Sequence, residues 1–197
     1  MSRRLALLLL LLAVGGRVGP GVATAGEAGG AAAGESAHQL GGDFRLTDHR
    51  GQPFDSRRLR GQVALIFFGY TSCPDVCPTE LLRLRGVLEQ LGEQSVRVQP
   101  LFVSVDPQRD TAEHLARYVS WFHPRIVGLT GSDAELRAVT ARFSAGFQRN
   151  AAGESGFYTV DHSANLFVID PAGELATIVP YGLPPEHIVA VVRGLLD

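Results

Sequence analysis

Apolar residues along the chain form two kinds of pattern, continuous runs and leucine-rich stretches at helical spacing. Residues 63–69 (VALIFFG) are a continuous apolar run, which is typical of a strand buried on both faces of a sheet, and residues 96–106 are predicted as the next buried strand. Residues 78–91 place leucines three or four positions apart and end at Gly92, which predicts a helix. Capping residues and prolines predict three further helices, at residues 111–122, 132–145 and 186–196.

Shorter stretches before residue 63 and in the final third of the chain predict β-hairpins. Residues 43–62 contain two short extended pieces around a turn at residues 50–53, and the final third of the chain has strands on both sides of the turn sequence DPAG at residues 170–173. Residues 126–129 are a further short strand, and Pro100 predicts a bulge or an irregular start in the strand that contains it. This order of elements predicts an α/β fold, a central mixed β-sheet flanked by helices on both faces, with an N-terminal β-hairpin extension.

Length and charge restrict the class of protein. A chain of 197 residues with 45% hydrophobic residues has room for one ordinary domain with a sizeable core. The formal net charge is -2, and Lys and Arg form no run beyond short pairs. A nucleic-acid partner is therefore not expected.

The N-terminus has the layout of a targeting segment. Arg3 and Arg4 precede an apolar run at residues 5–14, and an A-x-A-like site follows at residues 23–25. We interpret residues 1–25 as a signal peptide, with a short uncleaved membrane anchor as the alternative, because the apolar run is about half the length of a spanning helix. Residues 26–39 are a flexible linker and residues 40–197 the folded domain. A periplasmic or other extracytoplasmic location is expected, with possible attachment to the inner membrane through the N-terminus.

Both cysteines of the chain lie in the sequence CPDVC, at Cys73 and Cys77. They follow a predicted buried strand and lead into a helix, where open α/β sheets place their chemistry. Backbone N–H groups at a helix start stabilise a thiolate, and the prolines and Asp75 indicate an exposed loop. In an oxidising compartment the pair can persist as a disulfide, although so short a loop adds little stability. A redox pair and a metal site are the other two interpretations of these cysteines.

One of the six histidines is a candidate third ligand. His162 lies beside Asp161, in a predicted loop immediately before a buried strand. With the two thiols it forms a Cys2His set, whose soft donors suit copper in either oxidation state. Zinc is the competitor, but a structural zinc site needs a fourth ligand such as Asp161.

Three motifs in order resemble the Sco/SenC family: FFGYTSCPDVCPTEL at residues 67–81, FVSVDPQRDT at 102–111 and VDHSANLFVIDP at 160–171. The resemblance covers residues 40–197. It implies a thioredoxin-like fold, export to the periplasm or the mitochondrial intermembrane space, and copper, as Cu(I) or Cu(II), bound by the two cysteines and a distant histidine. By this resemblance the copper ligands are Cys73, Cys77 and His162, with Asp161 as the acidic neighbour of the histidine.

The family also implies a function and partners. Its members assist assembly of the binuclear copper site of cytochrome c oxidase, so subunit II of the oxidase is the expected partner, with periplasmic copper chaperones or thioredoxin-like reductants as others. The expected role is that of a metallochaperone. The alternative is a thiol-disulfide oxidoreductase, with Cys73 and Cys77 as its redox-active residues, or a thioredoxin-like redox sensor. The motif at residues 102–111 is interpreted as scaffold, with Asp110 or Thr111 capping the next helix.

Overall fold

A seven-stranded sheet is the centre of the computed structural model, which describes residues 40–153 and 156–197. The strands of this part of the chain are β1 (Arg45–Asp48), β2 (Pro53–Asp55), β3 (Val63–Gly69), β4 (Val98–Ser104), β5 (Val127–Thr130), β6 (Phe147–Arg149), β7 (Val160–His162), β8 (Leu166–Ile169) and β9 (Leu175–Val179). The central sheet has the order β2-β1-β5-β4-β3-β8-β9, and β6 and β7 form a separate two-stranded sheet. The pairs β3–β4 and β4–β5 are parallel and the others antiparallel, so the predicted mixed sheet is confirmed.

The helices are α1 (Val76–Leu91), α2 (Ala112–Ser120), α3 (Asp133–Arg142) and α4 (Pro185–Leu196), with short 3-10 helices at Ser56–Leu59 and Gly92–Arg97. Their start signals act as predicted. The side chain of Thr111 accepts a hydrogen bond from the backbone of His114 at the start of α2, and Ser132 forms a capping box with Glu135 at the start of α3. The predicted helices therefore all form, and α3 ends three residues before the predicted position.

The core lies on both faces of β3, whose residues are all buried. Successive side chains of a strand point to opposite faces, so Phe67 and Phe68 enter two different layers. The ring of Phe67 lies 6.3 Å from that of Phe102, whereas the ring of Phe68 lies 5.5 Å from Phe167 and 5.8 Å from Phe143. Both faces of the sheet are thus covered by apolar contacts, which explains the continuous apolar run in the sequence.

Three features depart from the sequence-based expectations. The N-terminal hairpin forms, but β1 pairs with β5, so the hairpin extends the central sheet itself. Pro100 lies in an uninterrupted β3–β4 register, and β4 pairs with β5 only from Leu101 onward. The strand therefore has a neighbour on one side only at Pro100, which is where a residue without an N–H is tolerated. The sheet formed by β6 and β7 has no counterpart among the predicted elements.

The N-terminal predictions lie outside the described residues. These are the signal peptide or short anchor at residues 1–25 and the linker at residues 26–39. The described residues belong to one unit, Ser36–Asp197. Within residues 40–153 and 156–197, no helix combines the length and the apolar composition that crossing a membrane requires.

Candidate metal centre

The two cysteines lie at the junction between β3 and α1. The backbone N–H of Cys73 bonds the carbonyl of Tyr70 in a tight turn after β3, and Cys77 is in the first turn of α1. Both are free thiols in this structure. Cys73 is half-buried, as a loop residue should be, but Cys77 is fully buried. The prediction that both thiols lie in an exposed loop is therefore wrong for Cys77, because the first turn of α1 packs onto the end of β3.

A glycine at the end of β3 makes room for the Cys77 sulfur. A Cβ atom added at Gly69 would lie 2.7 Å from Cys77 Sγ and 2.9 Å from Phe102 Cε2. Any side chain at this position would displace the sulfur or the ring, because both contacts are shorter than van der Waals packing allows. Gly69 thus fixes the depth at which Cys77 is held.

His162 faces the cysteines from the end of β7, where it pairs with Phe147 of β6. Its imidazole packs edge-on against two rings, with centroid distances of 5.9 Å to Phe67 and 5.8 Å to Tyr70. Its Nδ1 is 3.1 Å from the carbonyl oxygen of Ser163, a distance at which Nδ1–H donates. That bond leaves the Nε2 lone pair available, and Nε2 is 3.5 Å from Cys77 Sγ. The sequence predicted a loop here, whereas the structure places the histidine on a strand.

The Sγ atoms of the two cysteines and a ring nitrogen of the histidine all lie within 4.8 Å of one another. Two ligands that are each about 2.3 Å from one ion can be about 4.6 Å apart at most, so small side-chain movements bring all three into one coordination sphere. Two sulfurs and one imidazole are soft donors that suit copper. In the described part of the chain this cluster has no fourth His, Cys, Asp or Glu, which disfavours a closed structural zinc site.

The thiols of the pair differ in acidity. A hydrogen bond from the Cys77 thiol, aided by the backbone N–H groups of Asp75 and Cys77, lowers the pKa of Cys73 to about 4. The same hydrogen bond, with Cys77 as donor, and burial raise the pKa of Cys77. At neutral pH the site therefore holds one accessible thiolate, Cys73, and one buried thiol, Cys77.

Asp161 and the other histidines of residues 40–153 and 156–197 lie outside the Cys-Cys-His cluster. Asp161 is exposed on β7, pointing to the face opposite His162, and its Oδ1 accepts a hydrogen bond from Asn150 Nδ2 at 3.2 Å.

His49 Nδ1 accepts a hydrogen bond from the backbone N–H of Gly128 at 2.9 Å, and His123 Nδ1 accepts one from the backbone N–H of Arg125 at 3.2 Å. These two rings support turns and strand ends. His114 and His187 are exposed.

Sequence reasoning missed the contacts made by the motif at residues 102–111. Asp110 is fully buried and does not cap α2, a role taken by Thr111 alone. Its carboxylate accepts hydrogen bonds from the Thr71 backbone at 2.9 Å, the Thr71 hydroxyl at 2.5 Å and Ser104 Oγ at 2.6 Å. Asp110 thus holds the loop that leads to the cysteines. Its place between a buried strand and a helix was a signal in the sequence, since a carboxylate that becomes buried there requires hydrogen-bond partners.

Comparison with known proteins gives the family. The family model described as SCO1/SenC matches residues 32–197. A SCO2-like protein of Rickettsia felis is 36% identical over 157 residues, which cover 79% of this chain and 77% of the relative. The mitochondrial SCO2 homolog of Bos taurus is 41% identical over 154 residues, covering 77% of this chain and 58% of the relative.

Solved structures agree with the fold. Bradyrhizobium japonicum ScoI with copper bound is 37% identical and superposes with a TM-score of 0.74, covering 80% of this chain and 99% of that one. Yeast Sco1 with copper bound is 34% identical with a TM-score of 0.73, covering 79% of this chain and 87% of that one. The thioredoxin-like α/β fold predicted from the sequence is confirmed. Sequence, fold and the Cys-Cys-His cluster lead to one conclusion: the chain belongs to the SCO1/SenC family.

Proposed function

We propose that this protein is a metallochaperone that binds one copper ion through Cys73, Cys77 and His162 and delivers it to the binuclear copper site of cytochrome c oxidase. The observation that supports this most is the convergence of two thiol sulfurs and one imidazole nitrogen within 4.8 Å. Bradyrhizobium japonicum ScoI and yeast Sco1 have solved structures with copper bound, and two sulfurs with one imidazole suit copper. Copper is the cargo in this function, either as Cu(I) or as Cu(II).

Each ligand has a separate part in this proposal. Cys73, half-buried and ionised at neutral pH, makes the first bond to an arriving ion. Cys77 loses its proton as copper binds, so that binding releases a proton to solvent. His162 offers Nε2, with its tautomer set by the Nδ1 bond to Ser163. Asp161 precedes the histidine on the exposed face of β7 and contributes no ligand atom to the cluster.

Delivery then requires ligand exchange with a partner. Thiolates or imidazoles of oxidase subunit II replace the three ligands one at a time, and the copper keeps its oxidation state. Cys73 is the natural first ligand to leave, since it is the accessible sulfur. Copper chaperones that load the site and thioredoxin-like reductants that keep its thiols reduced are further partners in this proposal.

The proposal includes the location of the protein. Export to the periplasm follows from interpreting residues 1–25 as a signal peptide or short anchor, with residues 26–39 as the linker to the domain at residues 40–197. Assembly of an extracytoplasmic copper site requires this compartment. The relatives include bacterial proteins and mitochondrial ones.

The second candidate function is thiol-disulfide exchange, which the low pKa of Cys73 favours. The Cys73 thiolate would attack a disulfide of the partner and form a mixed disulfide, releasing one partner thiolate. Cys77, once deprotonated, would then attack Cys73 Sγ and release the second. The partner ends with two thiols and this chain with a Cys73–Cys77 disulfide, which could equally serve a redox sensor. His162 has no required part in this reaction.

An anaerobic Cu(I) competition titration of the fully reduced protein tests the choice. We expect the wild type to bind one copper tightly, and His162→Ala and the Cys73→Ser, Cys77→Ser double variant to lose much of that affinity. His187→Ala, at an exposed histidine of α4, is the matched control and should bind as the wild type does. If the wild type binds copper no better than His162→Ala, the metallochaperone proposal fails and the cysteines belong to thiol-disulfide exchange.

A further inference from the structure

The segment between β4 and α2 contacts both halves of the metal centre. On one side, Asp110 accepts two hydrogen bonds from Thr71, in the loop that leads to Cys73. Four residues earlier along the same segment, Asp106 is also fully buried. A buried carboxylate is stable only when it is paired and hydrogen-bonded, so the partners of Asp106 show what the segment holds on its other side.

The Asp106 carboxylate accepts a hydrogen bond from the polypeptide before His162 and another from its own segment. Tyr158, two residues before β7, donates its hydroxyl to Asp106 Oδ1 at 2.7 Å. Arg109 donates Nε to Asp106 Oδ2, lies over the Tyr158 ring at 3.7 Å and donates Nη1 to the Tyr158 carbonyl at 3.0 Å. Asp106 and Arg109 therefore bind both the side chain and the backbone of Tyr158.

Arg149 attaches the other strand of the small sheet. It is the last residue of β6, and its Nε lies 3.5 Å from Asp106 Oδ1. Its two terminal nitrogens donate to the Asp133 carboxylate at 2.7 and 3.0 Å, and one of them also donates to the carbonyl of Val105 at 3.3 Å. The small sheet is thus tied to the start of α3 and to the end of β4.

The small sheet needs such attachments. Its strands have three residues each, and in the described residues neither strand pairs with the seven-stranded sheet. An isolated two-stranded hairpin is marginally stable in water. In its register Arg149 lies opposite Val160 and Phe147 opposite His162, so fixing Arg149 and Tyr158 also fixes the strand position of the histidine.

We propose that Asp106, Arg149 and Tyr158 form a polar clamp whose role is to position His162 opposite Cys73 and Cys77. Asp106 of the clamp and Asp110, which holds Thr71, belong to one short segment, so that segment sets the distance between the histidine and the cysteine loop. These are positioning residues, since none of them offers a ligand atom to the cluster. The inference deepens the proposed copper function and rests on it for its affinity measurement.

Tyr158→Phe and Arg149→Gln test the clamp in the full chain. Tyr158→Phe removes one hydroxyl and keeps the ring under Arg109, so we expect this variant to fold as the wild type does. Arg117→Gln is the matched control for Arg149→Gln, because Arg117 pairs with Glu113 on the exposed side of α2. We expect each clamp variant to bind Cu(I) about 10-fold to 100-fold more weakly than the wild type, and Arg117→Gln to bind as the wild type does.

Two further measurements distinguish positioning from general destabilisation. In the His162→Ala background the clamp substitutions should cause no additional loss of copper affinity, because the residue they position is absent. In the copper-free protein, nuclear Overhauser contacts from the His162 ring to the rings of Phe67 and Tyr70 should weaken in Tyr158→Phe and Arg149→Gln only. An equal additional loss in the His162→Ala background, or unchanged ring contacts with unchanged affinity, would overturn the inference.

Failure of the copper function gives a different pattern. If the wild type binds copper no better than His162→Ala, the copper proposal fails. The ring contacts of His162 then decide by themselves whether the clamp positions the histidine. Loss of those contacts in both clamp variants, with Arg117→Gln unchanged, still supports positioning by Asp106. Contacts equal to those of the wild type overturn it.

Discussion

The cysteine half and the histidine half of the candidate metal centre are built in different ways. Cys77 is buried in the apolar core at the junction of β3 and α1, against Gly69 and Phe102. His162 lies on a strand of the small separate sheet, whose ties to the domain include the buried carboxylate of Asp106 and two arginines. One half is positioned largely by close packing, the other by directional polar contacts together with two aromatic rings.

This difference has a consequence for function. Close-packed interiors resist displacement, so the sulfur of Cys77 has one well-defined position. Polar attachments at a partly exposed small sheet are individually weaker and can be exchanged for water. In the proposed copper function, Cys77 is the ligand with a fixed position, and His162 can move with the small sheet once the accessible Cys73 has exchanged. The histidine half is the one expected to move.

The sharpest test compares the same substitution in the two halves. Phe67→Ala removes a fully buried ring on β3 and should lower the free energy of unfolding by about 3–5 kcal/mol. Phe147→Ala removes a half-buried ring on β6 and should cost about 1–2 kcal/mol, since less apolar surface leaves the protein interior. Urea unfolding followed by circular dichroism measures both.

Equal losses at the two phenylalanines would contradict the comparison, because the small sheet would then belong to the cooperative core. Native-state hydrogen exchange supplies a second check on the same proteins. Amides of β6 and β7 should exchange through local opening at lower free energy than those of β3 and β4.

A glycine pair tests the packing of the cysteine half. Gly69→Ala should destabilise the protein by about 2 kcal/mol, because its Cβ would overlap Cys77 Sγ and Phe102. Gly86→Ala, inside α1, meets no atom closer than 3.8 Å and should stabilise by up to about 1 kcal/mol through helix propensity. Thermal unfolding of the two variants measures the opposite signs. A neutral effect at Gly69 would mean that the Cys77 site is not tightly packed.

The reactivity of the Cys73 thiol depends on its pKa, and of the properties compared it has the smallest expected effect on stability. With a pKa of about 4, Cys73 is a thiolate above that pH, so its alkylation rate by iodoacetamide should hardly change between pH 5 and 8. An ordinary thiol, with a pKa of 9.0, reacts about tenfold faster for each unit of pH over the same range. Buried Cys77 should stay unmodified in the folded protein. Mass spectrometry of alkylated peptides follows each thiol separately.

Cys77→Ala is the matching variant for this measurement. It removes the hydrogen bond that contributes most to lowering the pKa of Cys73, so the reactivity of Cys73 at pH 5 should fall and regain a dependence on pH. The same shift links to stability: ionised Cys73 favours the folded state above pH 9, and this contribution is lost as the pH falls toward 4. A flat profile in Cys77→Ala would place the cause in the remaining donors, the backbone N–H groups of residues 75 and 77 and the His162 side chain.

Much of the fold was predictable because local patterns report local burial. The apolar run of β3, the leucine spacing of α1 and the caps at Thr111 and Ser132 all appear in the structure as predicted. The small sheet was not predictable in this way. Its strands have three residues each, too few for alternation to register as a pattern.

The sequence by itself determined the order of elements, the place of Cys73 and Cys77 at a strand-to-helix junction and the identity of the third candidate ligand. Tertiary structure alone decided that Cys77 is buried, that His162 approaches it from 85 residues away, and that Asp106 ties the small sheet to the domain. The physical reason is the range of the interactions. Backbone preferences and periodic burial act between near neighbours in the chain, whereas ligand distances depend on how separate elements pack and on which buried charges they share.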